Sequence, residues 1–179
     1  MRRRLSIMSI FTRIFRNRPD PREEMRPLWH RVVEVSRNRR WYADDGVADS
    51  VGGRFDMIVA VLSLVLLRME KDAEIAGNSA LLTELFVEDM DGQLRQSGVG
   101  DMVVGKHIGK LVSVLGGRLG ALREALQQED DTALREVLER NVSFTEGSQP
   151  DALARDLRAF AARLDRIAPE DLTGGRIDA

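Results

Sequence analysis

The stretch RFDMIVAVLSLVLLRMEKD, residues 54–72, constrains the fold more than any other part of the chain. From Met57 to Leu67 it is apolar almost all the way round a helix, interrupted only by Ser63. Those residues would rise about 16 Å as a helix, roughly half of what a hydrocarbon core requires. The run therefore has to be covered by protein, which predicts a central buried helix ringed by others. With 179 residues, 43% hydrophobic and 31% charged, the chain has material for one good core and not for two. Leu, Ala, Arg and Glu dominate, aromatics are scarce, and β-branched residues fall in no alternating runs. The expectation is an all-α fold: a single compact multi-helix domain over residues 20–168 with a basic amphipathic segment, residues 1–19, before it.

The flanking segments supply the ring. Asp20 before Pro21 reads as a helix start, and that helix is expected to run through Leu28, Trp29, Val32, Val33 and Val35 to the RNRR cluster at 37–40, kinked at Pro27. WYADDGVADS, residues 41–50, reads as a loop ending in a cap, Asp49 or Ser50. A third helix starts at Asn78 or Ser79 and places Leu81, Leu82, Leu85, Phe86, Met90 and Leu94 at helical spacing. A fourth starts at Asp101, with Val104, Ile108, Leu111, Val112, Leu115, Leu119, Leu122 and Leu126 turned inward. EDDTALREVLERN and PDALARDLRAFAARLDRI give a short fifth and a sixth. Residues 169–179 read as a flexible tail.

Charge divides the chain. Residues 1–40 carry twelve arginines against Asp20, Glu23, Glu24 and Glu34, a balance of +8, whereas residues 41–179 carry fifteen basic and twenty-five acidic groups, a balance of −10. The basic end is the part expected to meet an anionic partner. Within it, Ile7, Ile10, Phe11, Ile14 and Phe15 recur at helical spacing among Arg2, Arg3, Arg4, Arg13 and Arg16. That is the composition of a segment lying in the headgroup layer of anionic lipid, so Arg2, Arg3, Arg4, Ile10, Phe11, Arg13, Ile14, Phe15 and Arg16 are the candidate membrane contacts. Its arginines also suit an organellar leader or a plain basic tail; a secretory signal would have an uninterrupted apolar core and a small-residue cleavage site.

Several chemistries are excluded or unsupported. The chain has no cysteine, which removes disulfides, thiolate metal sites and cysteine nucleophiles. Its two histidines, His30 and His107, are far apart, and although either could in principle ligate haem, a lone histidine is more often a surface or packing residue. No metal or cofactor is expected. GDMVVGKH, residues 100–107, approaches a phosphate-binding loop through Gly100, Gly105 and Lys106, but His107 stands where the magnesium-binding hydroxyl belongs and a helical pattern precedes the turn. It reads instead as a corner between two helices, Gly98 ending one and Asp101 capping the next, with Asp91 and Arg95 spaced to pair along a turn. Asp89 and Asp91 leave a competing reading, an all-helical magnesium-dependent enzyme; such enzymes usually carry two aspartate-rich motifs facing one cavity, and the only other dense acidic run here, EDD at 129–131, reads as a loop. RNRR and the leader leave another, a contact with ribosome or RNA. Nothing points to specific DNA.

The fourth helix carries a further oddity. Gly105, Gly109, Ser113, Gly116 and Gly120 form a stripe free of large side chains, and each glycine costs about 0.5–1 kcal/mol relative to alanine. Close approach of another helix would offset this. Either a helix of this chain packs there, or the stripe is a groove for a foreign helix.

Four segments together carry a family resemblance: WYADDGVADSVGGRFD at 41–56, FVEDMDGQLRQSGVGDMVVGK at 86–106, GGRLGAL at 116–122 and ERNVSFTEG at 139–147. With these the chain resembles the ubiquinol–cytochrome c chaperones, helical assembly factors for cytochrome b of the bc1 complex. The resemblance implies an all-helical, non-enzymatic chaperone without cofactors, acting on newly made or partly assembled cytochrome b. It also implies work with a small partner protein and near the ribosomal exit, on the cytoplasmic face of a bacterial inner membrane or on the matrix side in an organelle. Carried over onto this sequence, the residues that match the family pattern are Tyr42, Asp49, Arg54, Asp91, Arg95, Gly98, Gly100, Asp101, Lys106 and Arg118. With Gly109 from the stripe, they are the candidates for client or partner contact, each with capping or buried pairing as its structural alternative.

Overall fold

The computed structural model describes residues 20–96 and 101–177, with only the backbone at 94–96 and 101–107. Among the described residues eight α-helices follow in order: α1 (Arg26–Ser36), α2 (Arg39–Ala43), α3 (Val51–Glu70), α4 (Ser79–Gln96), α5 (Asp101–Leu126), α6 (Thr132–Asn141), α7 (Asp151–Leu164) and α8 (Pro169–Thr173). Short 3₁₀ turns lie at Pro21–Met25 and Ala76–Asn78. Among the described residues there is no strand, only an isolated antiparallel bridge between Val47 and Phe144. None of the described helices is long and apolar enough to cross a membrane.

The run that opens the sequence account is the axis of the molecule. In α3 every residue from Asp56 to Met69 is buried, covered by α1, α4, α5 and α7. Its start is fixed by Ser50, whose Oγ accepts from Gly53 N at 3.1 Å, satisfying a first-turn donor. Near its end Arg68, only 9% exposed, donates from Nε to Leu164 O and from Nη2 to Ile167 O, so a buried cation neutralises the carbonyl end of α7. Phe86 and Leu85 of α4, Leu115 and Leu122 of α5, Leu134 and Leu138 of α6, and Leu157 and Phe160 of α7 complete one continuous core.

Four expectations change on contact with the structure. The first helix is not one kinked rod: Asp20 caps a 3₁₀ turn by accepting from Arg22 N, and α1 begins afresh with Pro27 in its first turn. Proline lacks the donor an interior position needs and crowds the preceding turn, so the helix starts at it. Residues 39–43 are helical as α2, because Trp41 is pulled inside, 2% exposed, with its indole donating to Val35 O at 2.7 Å. Val112 is 45% exposed and faces outward.

The tail is the fourth. It forms α8 and packs down, with Leu172 and Ile177 at 0% and 1% exposure, and Arg31 Nε donates to Ile177 O. Gly175 makes this approach feasible: its φ is +76°, and a Cβ there would stand 2.7 Å from Pro27 O. Two anchors in nine residues are too few for a periodic signal, which is why the segment reads as loose.

Candidate functional site

The geometry centres on Asp56, the acid at the head of the buried run. It is 6% exposed and accepts at Oδ2 from both Ser143 N and Ser143 Oγ, at 3.0 and 2.8 Å. Its Oδ1 pairs with Arg118 Nη2 of α5 at 2.8 Å. A buried carboxylate needs this kind of full partnership, because desolvation of an unpaired charge is expensive. The Arg118 guanidinium also lies 5.8 Å over the Phe55 ring, and Phe55 packs against Phe86, ring centroids 6.5 Å apart. Phe86 in turn meets Trp29 edge-on. Arg118 thus fastens α5 to α3, and the exposed Arg123–Glu70 pair at 2.8 Å joins the same two helices.

Fixing Arg118 inward fixes what α5 turns outward. Gly116 and Arg118 are two positions apart, about 200° around the helix, so the glycine stripe faces away from the core. Gly109, Ser113, Gly116 and Gly117 are exposed and Gly120 half-buried. A Cβ placed on Gly109, Gly116, Gly117 or Gly120 would meet nothing within 4 Å. At these positions no helix among the described residues makes the close approach that would offset the glycines, and their combined cost of about 2–4 kcal/mol is not recovered there. Gly105 lies where only backbone is described.

The other sequence candidates take these places. Tyr42 is half-buried in α2 and donates from its hydroxyl to Ser36 O at 2.7 Å; burial raises it above the ordinary phenol range. Its visible job is to tie α2 to α1. Asp49 and Arg54 form an exposed pair at 2.7 Å across the start of α3, and the bond from Arg54 lowers Asp49. Asp91 is partly buried in α4. Arg95, Asp101, Lys106 and His107 belong to helices whose side chains there are undescribed, and Gly98 and Gly100 lie outside the described residues. So do all the proposed membrane contacts between Arg2 and Arg16. The chain before the corner is helix to Gln96 and the chain after it is helix from Asp101, so the strand that a phosphate-binding loop requires is not what leads into this turn.

The magnesium reading gains nothing. Asp89 lines a groove of about 570 Å³ between α1 and α4, with Trp29, His30, Val33 and Glu88; Asp91, about 200° further round α4, does not. Among the described residues no three His, Asp or Glu side chains come together to hold a metal. The EDD run is a loop in which Asp131 pairs with Arg158 and Asp130 accepts from Thr132 N.

Compared with known proteins, residues 43–179 match the family model described as ubiquinol–cytochrome c chaperone. The chain belongs to this family. The crystal structure of the Cbp3 homolog from Brucella abortus is similar to it over 96% of this chain and 95% of that one, at 28% identity with a TM-score of 0.75. No curated protein sequence matches.

Within this chaperone fold the four segments that carry the resemblance converge on one place. The first brings Asp56 and Phe55, the second Phe86, the third Arg118 and the fourth Ser143. Sequence reasoning singled out Arg118 but missed Asp56, although a signal was there. Asp56 is the one charge between Arg54 and Arg68, and an acid at the mouth of a wholly buried helix has to be met by a cation. A second cluster was also missed: Asp45 and Asp156, 3% and 8% exposed, with Arg40 Nη2 at 2.5 Å from Asp156 Oδ2.

Proposed function

We propose that the chain is a non-enzymatic assembly chaperone that holds cytochrome b during biogenesis of the ubiquinol–cytochrome c reductase (bc1) complex, using the outward glycine face of α5. The observation that supports this most is the open face itself: Gly109, Gly116 and Gly120 weaken an otherwise strong helix, and none of the described residues fills the space beside them. A surface without side chains lets a second helix come close enough for dispersion and backbone contacts to accumulate, which is how helices of membrane proteins pack on one another. The client's apolar segments need such cover until their own partners arrive. Val112, exposed beside the stripe, adds apolar surface without making the patch large enough to aggregate.

In this reading the arginine-rich residues 1–18 bring the chaperone to anionic lipid, where the client is inserted, and a small partner protein or the ribosome acts as a further contact. The family membership and the +8 balance of residues 1–40 support the first of these. The test is complementation. Cells lacking the chain receive either the wild type or Gly109→Leu, and cytochrome b is read from reduced-minus-oxidised spectra. Loss of cytochrome b with Gly109→Leu, alongside an unchanged melting temperature, supports the α5 face. Full rescue by Gly109→Leu removes that face as the holding surface, and normal cytochrome b in cells without the chain removes the reading altogether.

A further inference from the structure

Asp45 and Asp156 are two buried acids away from the Asp56–Arg118 pair. Asp45 follows α2 in the loop 44–48, and Asp156 lies mid-way along α7. Both residues are more than nine-tenths buried, and the charge of Asp156 acts on the Asp45 carboxyl. Asp45 Oδ2 and Asp156 Oδ2 each lack a hydrogen-bond partner. Arg40 of α2 is close to Asp156 Oδ2 yet not aligned for a hydrogen bond, and Arg155 of α7 reaches Asp156 Oδ1 at 3.5 Å. Both guanidiniums are largely in water, 59% and 69% exposed. Asp44 and Glu146, the other acids on the two facing loops, are exposed. Two buried carboxylates acting on each other cannot both stay ionised at little cost, and one proton shared between them relieves that repulsion.

We propose that Asp45 and Asp156 share a single proton that fastens the 44–48 loop to α7, and that losing this proton loosens the loop layer, making the cluster a pH-sensitive clasp. The layer is thin and depends on few bonds. Val47 bridges to Phe144, Thr145 N donates to Gly46 O and Ala48 N donates to Ser143 O. Ser143 is the residue that holds Asp56, and Asp56 holds Arg118 on α5. The clasp is therefore coupled through one continuous set of bonds to the helix that bears the glycine face. Burial foremost, then the charge of Asp156, raises Asp45 from 3.8 to about 6, with Arg40 opposing. A folded state that holds a proton more tightly than the unfolded chain draws full stability from it below the unfolded value of 3.8 and loses it progressively as pH rises from there through about 6.

Asp45→Asn tests this, because an asparagine amide donates permanently to Asp156 and mimics the protonated clasp. Melting temperatures of wild type and variant are compared at about pH 5 and about pH 7.5. Backbone exchange of Ala48 and Thr145, corrected for intrinsic rate, is followed over the same range. The clasp requires the wild type to lose protection at these amides as pH rises through about 6, while Asp45→Asn stays protected and exceeds wild type in melting temperature by about twice as much at the upper pH as at the lower. Should Asp45→Asn destabilise the fold, titration of the Asp45 carboxyl in the wild type by nuclear magnetic resonance still decides. An ordinary carboxylate value, or an identical pH dependence of exchange in the two proteins, overturns the proposal.

Discussion

Replacing Arg118 by methionine is the perturbation whose size follows most directly from the structure. The substitution keeps the aliphatic stem against Phe55 and removes the cation. Asp56 then remains buried with two bonds from Ser143 and no counter-charge. Breaking a buried pair on one side costs about 3–5 kcal/mol. The side chain of Arg118 is 17% exposed and that of Asp56 9%, so water reaches the pair slightly and the lower figure, about 3 kcal/mol, applies. For a domain of this size that lowers the melting temperature by roughly 6–12 °C.

The loss of the Arg118–Phe55 contact is part of that number, and so is any change at Ser143, so a double-mutant cycle with Asp56→Asn is needed to isolate the pair. The Phe55 term occurs in both Arg118→Met proteins and cancels, as the Ser143 term cancels between the two Asp56→Asn proteins. The structure predicts a coupling of at least about 1.5 kcal/mol, read from urea and thermal unfolding followed by far-ultraviolet circular dichroism. Additivity within about 0.5 kcal/mol would refute the assignment of Arg118 to the fastening of α5 onto α3. So would an Arg118→Met protein that melts like the wild type and yet loses cytochrome b, since that pattern belongs to a client contact.

Gly116→Ala and Gly120→Ala meet open space, so each should raise stability by about 0.5–1 kcal/mol in thermal melts; a loss would mean that something packs there. Gly53→Ala is the opposite case, because its Cβ would stand 2.0 Å from Ala48 O; it should lower the melting temperature sharply and displace the start of α3. Ending the chain at Ala168 strips Leu172 and Ile177 from the core and should cost about 2–4 kcal/mol. An unchanged urea midpoint would restore the loose-tail reading. Asp45→Asn should gain up to about 3 kcal/mol over wild type at neutral pH, and progressively less as pH falls toward about 4. Flotation with anionic liposomes should weaken with salt, since attraction fades over a Debye length of about 8 Å; equal recovery without residues 1–18 removes the anchor.

How much of this the sequence showed depends on the kind of signal involved. The buried run of α3 and the helices around it were legible because a period of 3.6 over ten or more residues averages out local accidents. The docking of residues 169–177 was not, since it depends on one positive-φ glycine and two apolar side chains meeting a helix more than 130 positions earlier. The glycine stripe was visible, but its direction was not: only the Arg118–Asp56 pair, a contact between α5 and α3, decides whether the stripe looks inward or outward. Tyr42 and Arg118 were picked out as matching the family pattern, and the structure gives both of them internal bonds. Asp45 looked like one acid among several in WYADDGVADS; what distinguishes it is Asp156, which folding brings alongside. Pairings across the fold leave little trace in a single sequence.

A photo-crosslinking amino acid placed at Gly116 addresses the central claim most directly, because the position is open, outward and remote from the core contacts of α5. The variant is expressed in cells that assemble the bc1 complex and illuminated, and the captured protein is identified by mass spectrometry. Glu139, exposed on α6, serves as a control position. The account predicts a cytochrome b adduct from Gly116 and none from Glu139. Cytochrome b captured from Glu139 but not Gly116 would contradict the assignment of the holding surface, and no cytochrome b from either would contradict the chaperone reading itself.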